Sequence, residues 1–335
     1  KYGVIDLDVR GVEAYAQILI QVNKKKLALE LIEDELSKSF NPHFPLIDLK
    51  NKIQKDLLIE YDFITNPKQG IAEVYLTIAK LLKNKIEHNQ VLLLSRVAEY
   101  LRPEYPTIVL QVANVLENLQ QYDLALDSYS SVNPKNPNYL LAELGRAKNL
   151  ALLNRESESI EVLKSLSKSH YDNVVVHSSL GNMLRETDRD IEALEAYSTA
   201  INLANLRNQP RWPIYFYRGI LYEKQKNFVK MESDFREALK ISPNQPDVLN
   251  FLGYALVEQR KKLPEALQMI KMAVSEKPKS GYIIDSLGWV FYRLSKYELA
   301  IEPMERAVEL LPVDPIINDH LGDVYWNCLL YTSPS

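Results

Sequence analysis

The residues able to do chemistry are few and scattered. Five histidines stand at His43, His88, His170, His177 and His320, and the one cysteine is Cys328. A single thiol forms no internal disulfide, and no group of Cys and His has the spacing of a zinc site. An enzyme of this length is expected to offer a nucleophile beside a base, a metal cluster or a phosphate-binding loop. The chain has no phosphate-cradling glycine loop, no Gly-x-Ser-x-Gly elbow and no His-Glu-x-x-His. The nearest approach to a metal site is Asp319, His320 and Asp323, whose two carboxylates stand four residues apart on one helix face. Carboxylates near a helix start suit its dipole, so the group reads as a solvated acidic face. His177 holds a helix-face position where a packing residue is expected. The expectation is no enzyme: no catalytic residue, no metal and no cofactor.

The bulk numbers describe an ordinary folded chain. Of 335 residues, 46% are hydrophobic and 25% charged, which excludes a disordered composition. Net charge is −4, and the densest basic run is Lys24-Lys25-Lys26. That balance argues against nucleic acid as a partner. No stretch of apolar residues is long enough for a membrane span. The chain opens Lys1-Tyr2-Gly3 without methionine, as a fragment or processed form would. With 10 glycines and 17 prolines outside any linker, short turns between helices are expected.

Small residues recur at a fixed period. Gly219, Gly253, Gly288 and Gly322 are spaced 34, 35 and 34 apart. Gly181 and Gly145 continue the series backward at 38 and 36, and Ala113 and Ala79 at 32 and 34. Other residues repeat with them. Ile284, Leu287, Gly288 and Phe291 share one helix face, Tyr297, Ala300, Met304 and Ala307 mark a second amphipathic helix, and Pro312 closes the unit. The unit before it reads Leu249, Leu252, Gly253 and Leu256, then Ala266, Ile270, Ala273 and Pro278, with one extra residue in the turn at Lys261-Lys262-Leu263. Glycine inside a helix costs about 1 kcal/mol against alanine, so its recurrence needs a recurring gain. Close approach of two helix backbones, with alanines facing the glycine, is the expected gain. Each pair then leaves an apolar face for the next pair to cover.

The pattern of Leu-Gly, Tyr, Ala, aromatic, Ala and Pro resembles the tetratricopeptide repeat, closely over 174–326 and more loosely over 71–173. The runs Tyr282-Ile283-Ile284-Asp285-Ser286-Leu287-Gly288-Trp289 and Ile317-Asn318-Asp319-His320-Leu321-Gly322-Asp323 are similar to those of long alphaproteobacterial members of that family. The resemblance implies an all-α, right-handed superhelical solenoid of antiparallel helix pairs. It implies no particular biochemical role, and export of many members tilts the expected location towards the periplasm.

In that family the first helix of each pair lines the concave surface. Carrying over the inward slots by their offset from the repeat glycine gives an N-terminal groove of Asn114, Arg146, Asn149, Asn182 and Arg185. The C-terminal groove is Phe216, Asn250, Tyr254, Asp285, Trp289, Tyr292, Asp319 and Asp323. Amides and guanidinium groups suit backbone amides and carboxylates, whereas aromatics beside carboxylates suit an apolar or basic peptide. The alternative is that the aromatics pack between neighbouring first helices. Asn182 fits one position of the family's carboxylate clamp, but its neighbours do not complete the set.

The ends depart from the pattern. Residues 1–70 read as degenerate helical repeat, with a pair over 11–36, small slots at Ala16 and Ala28, a helix near 45–55 and an irregular segment near 56–70. A further helix is the alternative for that segment. Residues 71–326 hold about seven complete units and a truncated last one. Residues 327–335 are off-pattern and read as foreign to the protein, or else as a natural hydrophobic tail. The expected function is a non-catalytic scaffold or adaptor that binds a peptide or partner surface in its concave groove. The alternatives are an RNA-binding helical repeat, which the charge opposes, and an accessory subunit of an envelope assembly or enzyme complex.

Overall fold

The computed structural model describes residues 7–38 and 43–332. The described residues form eighteen helices and include no strand. They fall into two compact units, residues 1–188 and 189–335. The first holds α1 (Val9–Gln21), α2 (Lys25–Lys38), α3 (Phe44–Gln54), α4 (Pro67–Leu82), α5 (His88–Leu101), α6 (Pro106–Asn118), α7 (Tyr122–Ser130), α8 (Tyr139–Leu152), α9 (Glu156–Ser169) and α10 (Val174–Glu186). The second holds α11 (Asp190–Leu206), α12 (Trp212–Lys224), α13 (Phe228–Ile241), α14 (Pro246–Glu258), α15 (Leu263–Glu276), α16 (Gly281–Arg293), α17 (Tyr297–Leu310) and α18 (Pro315–Thr332). Residues 327–332 of the off-pattern tail continue α18, and residues 333–335 lie outside the described residues.

Local chemistry sets the helix ends. Asp8, Asn66, Asn173 and Asn227 are N-caps whose side chains accept backbone N–H groups. Proline stands in the first turn of α3, α4, α6, α12, α14 and α15, where its missing N–H costs nothing. Eight helices end alike: Asn23, Asp56, Gln120, Asn154, Asn208, Lys226, Arg260 and Ser295 take left-handed φ values of 51–59°. The residue after each donates its N–H five positions back, at 2.8–3.0 Å. That is the Schellman closure, made without glycine. The extra residue of the α14–α15 repeat is absorbed at Lys262, also left-handed at φ 48°.

In the C-terminal unit the glycine slot has a different occupant from the one expected. A methyl group on Gly219 would sit 2.5 Å from the Phe235 ring, and one on Gly288 would sit 2.6 Å from Met304 Cγ. On Gly253 it would meet Ile270 at 2.7 Å and the Ala266 carbonyl at 3.2 Å. The slot therefore admits a large side chain from the second helix of the same pair, more than it brings two backbones together. The alanines at 238, 273 and 307 are fully buried. Buried side chains leave no room for compromise at interior density, which is why only glycine serves. Gly322 on α18 is the exception, with nothing within 4 Å of an added methyl group.

The N-terminal unit has separate cores. Ala16, Ala28, Ile32 and Leu46 centre one formed by α1–α3. Leu76, Ile108, Val112, Leu116 and Tyr129 centre another over α4–α8. Between α3 and α4, residues 57–66 run without helix. They are pinned along their length: Gln21 Nε2 donates to the Ile59 carbonyl at 2.7 Å, Gln17 Nε2 to Asp62 Oδ1 at 2.8 Å, and Arg102 Nη1 to the Phe63 carbonyl at 2.7 Å.

Candidate partner-binding surface

The N-terminal unit contains a cleft of about 590 Å³ bounded by α6–α10. Asn114 and Asn182 line it, each one residue after the small slot of its repeat. Its apolar wall includes Leu144, Leu163, Val175 and Met183. Asn114 Oδ1 accepts from Lys83 Nζ at 2.5 Å, which fixes the amide.

At its base lies a buried carboxylate. Glu117 is 8% exposed and accepts from Tyr129 Oη at 2.9 Å, Asn149 Nδ2 at 2.6 Å and Lys148 Nζ at 2.6 Å. Three donors, one of them charged, satisfy a group that would otherwise be costly to bury. Burial, and then the field of Glu117, push the Tyr129 phenol upward, so it stays a donor. The Tyr129 ring also fills the slot over Gly145, closing on the helix that follows it.

The other N-terminal groove residues are engaged within the protein. Asn149 is fully buried and also donates to the Gly145 carbonyl at 2.8 Å. Arg146 is bidentate on Glu143, at 2.9 and 2.7 Å. Arg185 pairs with Glu186 at 3.1 Å.

The C-terminal groove residues pack differently. Phe216, 7% exposed, meets Phe235 and Phe251 at ring centroid distances of 5.8 and 5.3 Å. Trp289, 8% exposed, lies between Tyr292 at 4.8 Å and His320 at 4.0 Å, both near-parallel. Its Nε1 donates to Glu258 Oε1 at 2.6 Å. His320 Nδ1 donates to the buried Asp285 carboxylate at 3.0 Å, joining α16 to α18. This bond turns His320 away from a metal-like set with Asp319 and Asp323, both of which are exposed. Tyr254 is half-buried, and burial with the fields of Glu258 and Asp285 pushes its phenol up to about 12. Asn250 is partly buried, and its Oδ1 has no hydrogen-bond partner. The aromatic strip thus seals neighbouring first helices against each other.

Comparison with known proteins was made at the level of sequence and of structure. No family model matches the chain. A TPR repeat-containing protein of Pseudomonas aeruginosa is 28% identical over 201 residues, covering 59% of this chain and 33% of that protein. Human tetratricopeptide repeat protein 13 is 26% identical over 173 residues, covering 50% of this chain and 19% of its own length. This chain is built of tetratricopeptide repeats. It spans a third or less of the length of these curated relatives. The solved complex of Cut9 and Hcn1 from the APC/C is similar in fold, with TM-score 0.59, 13% identity, 94% of this chain and 55% of the other covered. PilW, described as a type IV pilus biogenesis factor, matches with TM-score 0.55 and 20% identity over 66% of this chain and 98% of its own.

Sequence reasoning passed over Glu117, although its place was legible. Glu117 lies four residues after Ala113, the same tetratricopeptide offset that picked out Asn149 from Gly145. Lys148, Ser179 and Glu186 also line the cleft, but no offset used for the groove reaches them.

Proposed function

We propose that this tetratricopeptide chain is a non-catalytic scaffold that holds an extended peptide segment of a partner protein in the cleft of its N-terminal unit. The observation that supports this is the placing of Asn114 and Asn182, from equivalent slots of separate repeats, in one cleft with an apolar wall. An extended backbone offers alternating carbonyls and N–H groups, and a carboxamide can donate to one and accept from the other. The apolar wall takes a side chain. Nothing in the cleft pairs a nucleophile with a base, so holding rather than turnover is the role it suits.

Selection from a random peptide library tests the reading. The expected result is a family of related peptides retained by the wild type and lost, at least tenfold in Kd, by Asn114→Ala/Asn182→Ala. Far-ultraviolet circular dichroism confirms that the variant folds. Peptides held equally by the variant, or a library that yields none, would overturn it.

A further inference from the structure

A second cavity, of about 490 Å³, lies elsewhere in the N-terminal unit. Its walls come from α1, α3, the non-helical segment 57–62, the start of α6 and the turn before α8. None of its lining residues belongs to the groove slots of the repeat. The cavity is walled by a built feature, because segment 57–66 is pinned to α1 and to Arg102 by the hydrogen bonds described above.

Its chemistry is one-sided. Glu13, Asp48, Glu60 and Asp62 line it, with Lys52 as the one cation among the lining residues. Lys52 is already paired with Asp48 at 2.7 Å. Nearby Arg10 is bidentate on Glu73, at 2.5 and 2.7 Å, and stands 3.7 Å from Glu13. Arg102 is occupied by the carbonyls of Phe63 and Asp62. Lys80, the remaining cation close to Glu13, lies outside the wall. Glu13 Oε2 is buried with no hydrogen bond. Asn138, 8% exposed, lines the cavity, and its side chain makes no capping bond. A buried acceptor left without a donor costs about 1–3 kcal/mol, which an incoming donor recovers.

We propose that this cavity is a separate binding site for an arginine side chain presented by an extended segment of a partner protein. A guanidinium carries five donors in one plane and a fixed positive charge, matching a wall rich in carboxylate acceptors. Lysine supplies a compact charge with three donors and fits a spread of acceptors less well. The site stands independently of the cleft assigned above.

The test uses fluorescein-labelled Gly-Arg-Gly, capped at its C-terminus, and the matching citrulline and lysine peptides, read by anisotropy on the full chain. Citrulline keeps the shape of arginine and removes the charge. The expected order is arginine, then lysine, then citrulline at least tenfold weaker than arginine. Glu13→Gln/Glu60→Gln should weaken the arginine peptide at least tenfold, while Asn114→Ala/Asn182→Ala leaves it unchanged. Glu60→Gln alone, at an exposed position, gives a smaller loss in the same direction should the double variant fail to fold. Equal binding of citrulline, no binding at millimolar protein, or indifference to Glu60→Gln would overturn the proposal. Loss with the Asn114/Asn182 variant would move the arginine to the cleft.

Discussion

The two units use the same repeat differently. In the C-terminal unit a large side chain from within the pair fills each glycine slot of α12, α14 and α16, and aromatic rings seal the first helices together. In the N-terminal unit the slot at Gly145 is filled by Tyr129 from the preceding helix, and a cleft with apolar and amide-bearing walls opens beside it. The two cavities described above both lie in the unit whose repeats are less regular.

Two buried carboxylates, one in each unit, carry the largest expected effects. Arg218 is bidentate on Asp234 at 2.7 Å, with Asp234 4% exposed. Asp234→Ala strands that guanidinium and should cost about 3–5 kcal/mol. Glu117→Ala lets an exposed lysine return to water but strands the buried Tyr129 hydroxyl and Asn149 amide, at about 1–3 kcal/mol each. Urea unfolding, with hydrogen exchange locating the loss in each unit, checks both. A loss below about 1 kcal/mol from either variant would mean that its carboxylate is not what holds those donors.

Two glycine slots within the C-terminal unit give smaller effects of opposite sign. Gly219→Ala drives a methyl group into the rigid Phe235 ring and should destabilise by about 1–3 kcal/mol. Gly322→Ala meets open space and should stabilise α18 by up to about 1 kcal/mol through helix propensity alone. Opposite signs in thermal melts are the expected outcome, and matching signs would mean that the two slots are alike in kind.

A pH dependence is expected in the N-terminal unit. Burial, assisted by Arg10 and Lys80, lowers His43 from its ordinary 6.5 to about 4. The unfolded chain therefore binds more protons between those values, and the stability is present above about 6.5 and lost as pH falls towards about 4. The urea midpoint of this unit should drop over that window, and His43→Leu should flatten the drop.

Much of the fold was legible because a period is a long-range signal in a one-dimensional string. Gly219, Gly253 and Gly288 announced their helix pairs, and Ala16 and Ala28 marked a degenerate one, both fully buried. The occupant of the glycine slot was not legible: a glycine reports that space is needed, not whether a backbone or a ring needs it. The fate of the aromatics was undecided for the same reason, since Trp289 serves a groove or a seam with one helical offset. The second cavity left no periodic trace, because its wall is assembled from segments as far apart as Glu13 and Asn138.

The eight helix ends closed without glycine carry one more consequence. Each joint is shaped by main-chain bonds, so the identity of its left-handed residue matters little beyond a modest strain of roughly 1 kcal/mol. Asparagine, aspartate, glutamine, lysine, arginine and serine all occupy it. These corners form a set of interchangeable letters on the outside of the text: charge there can be rewritten without changing how the chain leaves each helix.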